Sequence, residues 1–318
     1  MMKQQLATEM ETPWDACVLL LGCDRSGTTL LQNLLNAHPE IMITYEQGLI
    51  YPFESVYREQ GAEAVVQLAR ARGLLKGIGT FNEDSIRQCW GDQSFAHLMT
   101  ELFRRQALRQ GKRIWGDKRP DYTAQVLRLD QLFPNAFFVH IVRDPRAVAF
   151  SWAQTDWGPM TVYHAAEAWK KRVREARLAL ELLEPHRSIS VRFEELVEEP
   201  NAVLMRICAA IGVRFEPRML EPVSRGKSRL NDRLERLHPL RNQPIQKQIK
   251  DKWLENPKVI ISHIETLCHE EMSRWGYKPV TLFKPQIPLL WKVFYRVLSR
   301  GRRSWHYKIR PLLFPVRC

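Results

Sequence analysis

Between Gly22 and Thr29 the chain places two glycines, the cation of Arg25 and the paired hydroxyls of Thr28 and Thr29, with Ser26 between them. Residues of these types at this spacing suit the binding of an oxyanion. Glycines let backbone N–H groups converge on one point, a hydroxyl adds a short donor, and a following helix adds the positive end of its dipole. The flanking sequence supplies the elements such a loop needs. Val18-Leu19-Leu20-Leu21 is an uninterrupted apolar run that reads as a buried strand, and the apolar period from Thr28 to Leu35 reads as a helix.

The glycine spacing is that of the Gly-x-x-x-x-Gly-Lys-Ser/Thr loop of nucleoside triphosphatases, with Thr28 where the lysine belongs. Without that lysine the cation that meets the β- and γ-phosphates is missing. Arg25 carries the charge three residues earlier, which suits a smaller terminal anion than a Mg-bound triphosphate. A second cationic element follows the run from Ala136 to Val142, which reads as a central strand. Arg143-Asp144-Pro145-Arg146 ends it and opens a helix, with Asp144 as cap and Pro145 in the first turn. Ser151 lies two helical turns beyond Asp144, so Arg143 and Ser151 can meet on one anion. Lys118, in Trp115-Gly116-Asp117-Lys118-Arg119-Pro120, and Glu46, after the strand-like Ile41 to Tyr45, stand at two further strand ends. Ligands gather at the C-terminal edge of such sheets.

Arg-Ser-Gly-Thr-Thr-Leu-Leu after a buried strand, followed by Asn36-Ala37-His38-Pro39-Glu40, resembles the 5′-phosphosulfate loop of sulfotransferases. The resemblance is nearest to the branch of tyrosylprotein sulfotransferases and their bacterial relatives. It implies 3′-phosphoadenosine 5′-phosphosulfate (PAPS) as cosubstrate, adenosine 3′,5′-bisphosphate as product, and an acceptor with a free hydroxyl. Arg25, Ser26, Gly27, Thr28 and Thr29 would then hold the 5′-phosphosulfate, and Arg143 and Ser151 the 3′-phosphate. Lys118 would stabilise the departing phosphate, and Glu46 would match the general base; Tyr45 departs from the glutamate found there in that branch. Lys227, Ser228 and Arg229 lie in the polar stretch 222–245 that relatives close over the nucleotide. Phe193 stands where many relatives have tyrosine.

The elements alternate as in an α/β fold with a P-loop-like central parallel sheet flanked by helices. The reading divides the chain into a domain over 1–275 and a basic amphipathic extension over 276–318. The net charge is +13, of which ten cations, with no acid, fall after Trp275. Lys292, Arg296 and Arg300 recur every four residues among apolar ones, a pattern for a helix that packs on its own domain, on a partner or on an anionic membrane. Six dispersed cysteines form no zinc spacing, and no metal is called for. The N-terminus lacks a signal-peptide core and no window is apolar enough to span a bilayer, so the expectation is a cytoplasmic protein. Two other classes fit parts of the chain. A nucleotide kinase or triphosphatase would use Asp144 as its Mg²⁺ carboxylate, and a non-enzymatic membrane or nucleic-acid binder would rely on the basic tail, although no nucleic-acid motif is present.

Overall fold

Strands without a polar residue must be covered on both faces, which is how parallel sheets are buried. The computed structural model describes residues 17–45, 50–71, 94–155, 158–221, 250–282 and 287–304, and places five strands in one sheet, the apolar run Cys17–Leu21 at its centre. They are β1 (Cys17–Leu21), β2 (Ile41–Tyr45), β3 (Ile114–Lys118), β4 (Phe137–Val142) and β5 (Ser188–Arg192), ordered β2-β3-β1-β4-β5 with every neighbouring pair parallel. The helices are α1 (Thr28–Asn36), α2 (Ile50–Ala71), α3 (Phe95–Arg109), α4 (Val126–Leu132) and α5 (Pro145–Ala153). They continue with α6 (Val162–Leu180), α7 (Phe193–Glu198), α8 (Pro200–Ile211), α9 (Lys258–Arg274) and α10 (Leu289–Ser304).

Alternation along β1 divides the core. Cys17, Leu19 and Leu21 join Phe103, Trp115, Tyr122 and Phe138 on one face, while Val18 and Leu20 join Leu31, Phe137, Val139 and Leu204 on the other. A third cluster packs α5, α6 and α9 together through Trp152, Trp169, Val173, Ile264 and Cys268.

Local chemistry sets the helix starts. Asp144 caps α5 by accepting the Arg146 N–H at 2.8 Å, with Pro145 first in the helix, as the sequence predicts. The sequence predicts a helix from about Pro159 to Leu183; α6 is shorter at both ends, and the Thr161 hydroxyl sets its start by accepting the His164 N–H at 3.3 Å. The sequence reads 52–110 as mainly helical, with breaks around Gly73–Gly79 and Trp90–Gly91; both breaks lie outside the described residues.

The chain leaves β1 through α1 toward β2, and leaves β4 through α5 and α6 toward β5 on the other side. Divergent exits of neighbouring parallel strands open a crevice at their C-terminal ends, the usual ligand position of an open α/β sheet.

Candidate active site

The loop between β1 and α1 sits at that crevice. It turns through the Ser26 N–H, which donates to the Cys23 carbonyl at 3.1 Å, and it holds Arg25 at φ 66° and Gly27 at φ 91°. Gly27 meets two demands. Its φ is left-handed, and a Cβ there would stand 2.3 Å from the Phe193 ring. No side chain caps α1, so the first N–H groups of the helix face the loop without an intrahelical acceptor. The Ser26 hydroxyl is buried and has no partner among the described residues. Together these groups form a donor surface for anionic oxygens.

On the β4 side, residues far apart in sequence converge. The Arg25 Nε donates to the Ser151 hydroxyl at 3.0 Å, and the Arg143 guanidinium donates to the Arg25 carbonyl at 3.0 Å. Arg143 also lies over the Phe193 ring, 4.3 Å from its centroid. Burial pushes the Arg143 pKa down to about 10, and Glu194 opposes that shift. A buried guanidinium retained at such a cost favours an anionic ligand. Arg25, Arg143 and Ser151 thus form one cluster, and the Arg25 side chain is turned toward α5.

On the opposite flank, Lys118 ends β3, fully buried, and its Nζ donates to the Thr29 hydroxyl at 3.4 Å. β1 separates β3 from β4, so the Lys118 and Arg143 strands stand roughly 10 Å apart across the sheet. The cradle between them has a cation on each side. Glu46, Lys227, Ser228 and Arg229 lie outside the described residues. The C-terminal part of β2 is held by α1. From buried α1, Gln32 Nε2 donates to the Ile43 and Thr44 carbonyls at 3.1 and 3.0 Å. Asn36 exchanges two hydrogen bonds with Ile43, at 2.8 and 2.9 Å.

Several supporting groups escaped the sequence reading. The charge run of α6 reads as a solvated face, yet Arg172 in it pairs with Asp24 of the loop and lies over Trp152. Glu194 accepts the Asp144 N–H at 3.0 Å and the Tyr277 hydroxyl at 2.8 Å. Burial raises its pKa. Asp117, next to Lys118, turns to the other face of the sheet, where Thr44 and Tyr122 donate to it and burial raises its pKa. His38 serves the fold. Its Nδ1 accepts the Glu40 N–H at 3.0 Å, which leaves Nε2 to donate to the Arg214 carbonyl at 2.8 Å. The i, i+4 pair Gln32 and Asn36, polar beside Leu30, Leu31, Leu34 and Leu35, was a visible signal for the β2 clamp. Neither Arg172 nor Tyr277 carries a comparable local one.

The chain is similar to several known proteins. Nodulation protein NoeE of Sinorhizobium fredii (strain NBRC 101917 / NGR234) is 28% identical over 227 residues, which covers 63% of this chain and 51% of NoeE, so the chain spans about half of NoeE's length. A putative protein-tyrosine sulfotransferase of Caenorhabditis briggsae is 24% identical over 218 residues, covering 66% of this chain and 70% of that protein. The sulfotransferase domain of the curacin biosynthetic pathway shares the fold at a TM-score of 0.62 and 21% identity, over 82% of this chain and 97% of that domain. The sulfotransferase domain of the Synechococcus PCC 7002 olefin synthase shares it at 0.59 and 24%, over 82% and 94%. The model of the sulfotransferase family matches residues 17–217, spanning β1, the glycine loop, Lys118, Arg143 and Ser151, and the chain belongs to that family.

Proposed function

We propose that the chain transfers a sulfuryl group from PAPS to an acceptor hydroxyl. The observation that carries this reading is the cradle with Thr28 at the lysine position, flanked by Lys118 on one side and by Arg25, Arg143 and Ser151 on the other. A nucleotide with anions at both ends fits that arrangement. The fit is supported by the buried Ser26 hydroxyl, which has no partner among the described residues. Loop amides, Ser26, Thr28 and Thr29 would hold the 5′ end, with Lys118 beside the bridging oxygen. Arg143 and Ser151 would hold the 3′-phosphate, and Arg25, in the loop but turned to Ser151, would join the two ends. Lys227, Ser228 and Arg229 would close over the nucleotide.

Bound PAPS supplies an activated sulfuryl group. The S–O bond to the 5′-phosphate breaks as the acceptor oxygen bonds to sulfur, and the acceptor's proton passes to Glu46. Lys118 meets the negative charge that grows on the phosphate oxygen, an electrostatic role that a fully buried ammonium fills without reorganisation. The kinase reading fits less well, because its Mg²⁺ carboxylate is already engaged. Asp144 accepts from the Arg146 Nε at 2.9 Å and from a second guanidinium nitrogen at 2.6 Å. The acceptor belongs among tyrosyl peptides, saccharides, lipids and small phenols, tyrosine being favoured by the name of the Caenorhabditis briggsae relative. Purified protein given ³⁵S-labelled PAPS and these acceptors should release adenosine 3′,5′-bisphosphate and label one class. Mg²⁺-dependent ATP turnover with no labelled acceptor would overturn the proposal.

A further inference from the structure

Helix α10 is held to the domain along one side. Tyr295 is buried, stacks on Tyr163 of α6 with ring centroids 5.2 Å apart, and meets His263 Nδ1 of α9 through its hydroxyl at 3.1 Å. Trp291, one turn earlier, packs edge-on against His263 at 5.0 Å, and Ser299, one turn later, is buried. These three positions share one helical face.

The opposite side faces out. Leu289, Leu290, Val293, Phe294 and Val297 are exposed, Leu290 to 83% and Val297 to 64%. At 100° per residue they cover a continuous arc of about 140°. Leu282, just before the helix, is 89% exposed. A water-facing surface would not repeat apolar residues at this spacing. Lys292 and Arg296 lie along the border between this arc and the docked face, and no acid occurs anywhere from Gly276 to Cys318. The helix therefore has three strips: a docked aromatic strip, a cationic strip and an open apolar strip. No helix among the described residues is long and apolar enough to cross a membrane.

We infer that α10 is a membrane-docking helix that seats the domain on an anionic lipid surface. It lies in the plane of the headgroups with the Leu289–Val297 strip in the acyl boundary and the cations on the phosphates. The two strips suit lipid better than a second copy of the chain, because facing copies of α10 would bring Lys292 and Arg296 of each near one another. Apolar burial and charge attraction are the two contributions on which interfacial helices depend.

The test is flotation of the full-length protein with vesicles of phosphatidylcholine alone and of phosphatidylcholine mixed with phosphatidylglycerol. The expected result is binding to the mixed vesicles that weakens with salt, by roughly fivefold for each of Lys292→Ala and Arg296→Ala. V293D/V297D, at exposed positions, is expected to reduce binding more than tenfold, while its affinity for adenosine 3′,5′-bisphosphate stays unchanged as evidence of an intact fold. Absence of binding to the mixed vesicles would overturn the inference. So would binding that V293D/V297D leaves unaltered, which would assign the attraction to tail charge alone. A dimer in light scattering that V293D/V297D dissociates, without vesicle binding, would identify the strip as a contact between copies instead.

Discussion

At the scale of single residues, binding and chemistry should separate. Lys118 touches the cradle through Thr29 but lies on the flank opposite Arg143. Lys118→Met is expected to lower kcat by roughly 10²- to 10³-fold. Its affinity for adenosine 3′,5′-bisphosphate should fall about tenfold at most. Single-turnover kinetics beside calorimetry measures both, and equal losses would make Lys118 a binding residue rather than a participant in the transition state. Glu46→Gln should cost roughly 10²- to 10⁴-fold in turnover and leave nucleotide affinity intact. Gly27→Ala acts on the fold, since the new Cβ must displace the Phe193 ring that supports Arg143. About 1–3 kcal/mol of stability should be lost in a denaturant titration, with weaker nucleotide binding. Unchanged stability would mean that the ring yields freely.

At the scale of elements, β4 carries a titration in its interior. His140 is fully buried, its Nε2 has no partner among the described residues, and burial lowers its pKa to about 4. Between the ordinary value near 6.5 and that lowered one the unfolded chain takes up a proton that the folded chain refuses, so stability falls as the pH drops through this window. Relative to His140→Gln, the wild type should lose about 2 kcal/mol between pH 7 and pH 4.5. Parallel pH profiles of the two proteins would contradict the burial account. The comparison with the variant isolates His140, because Asp117 and Glu194, whose pKa values are raised, shift stability in the opposite sense in both proteins. The elements themselves were legible from sequence where local patterns decide them: the apolar runs of β1 and β4, the glycines of the loop, and the Asp144-Pro145 start of α5. The joins between elements were less so. Arg25 and Ser151 are 126 positions apart, Arg172 and Asp24 148, and Tyr277 and Glu194 83. No periodicity spans such distances; strand order and helix packing bring these partners together. Arg172 shows the difficulty, since its neighbours Lys171 and Arg174 are exposed, as an amphipathic reading expects, while it turns inward to the loop.

At the scale of the whole molecule, positive charge does two jobs in two places. Within the domain, positive charge reaches the cradle through a few buried side chains, Lys118 and Arg143 among them. After Trp275 it is dense and unopposed. Nucleotide binding should therefore depend on a few individual cations and change little when tail charges are removed. The most direct test is calorimetric titration of adenosine 3′,5′-bisphosphate into the wild type, Arg25→Ala, Arg143→Ala and the double variant. Each single substitution should weaken binding by roughly 10- to 100-fold. Because Arg143, whose pKa is lowered by burial and also by the nearby Arg25 charge, responds to the loss of that charge, the two losses should not add independently. Wild-type protein that takes up no nucleotide, or a double variant that binds it as tightly as the wild type, would contradict the account.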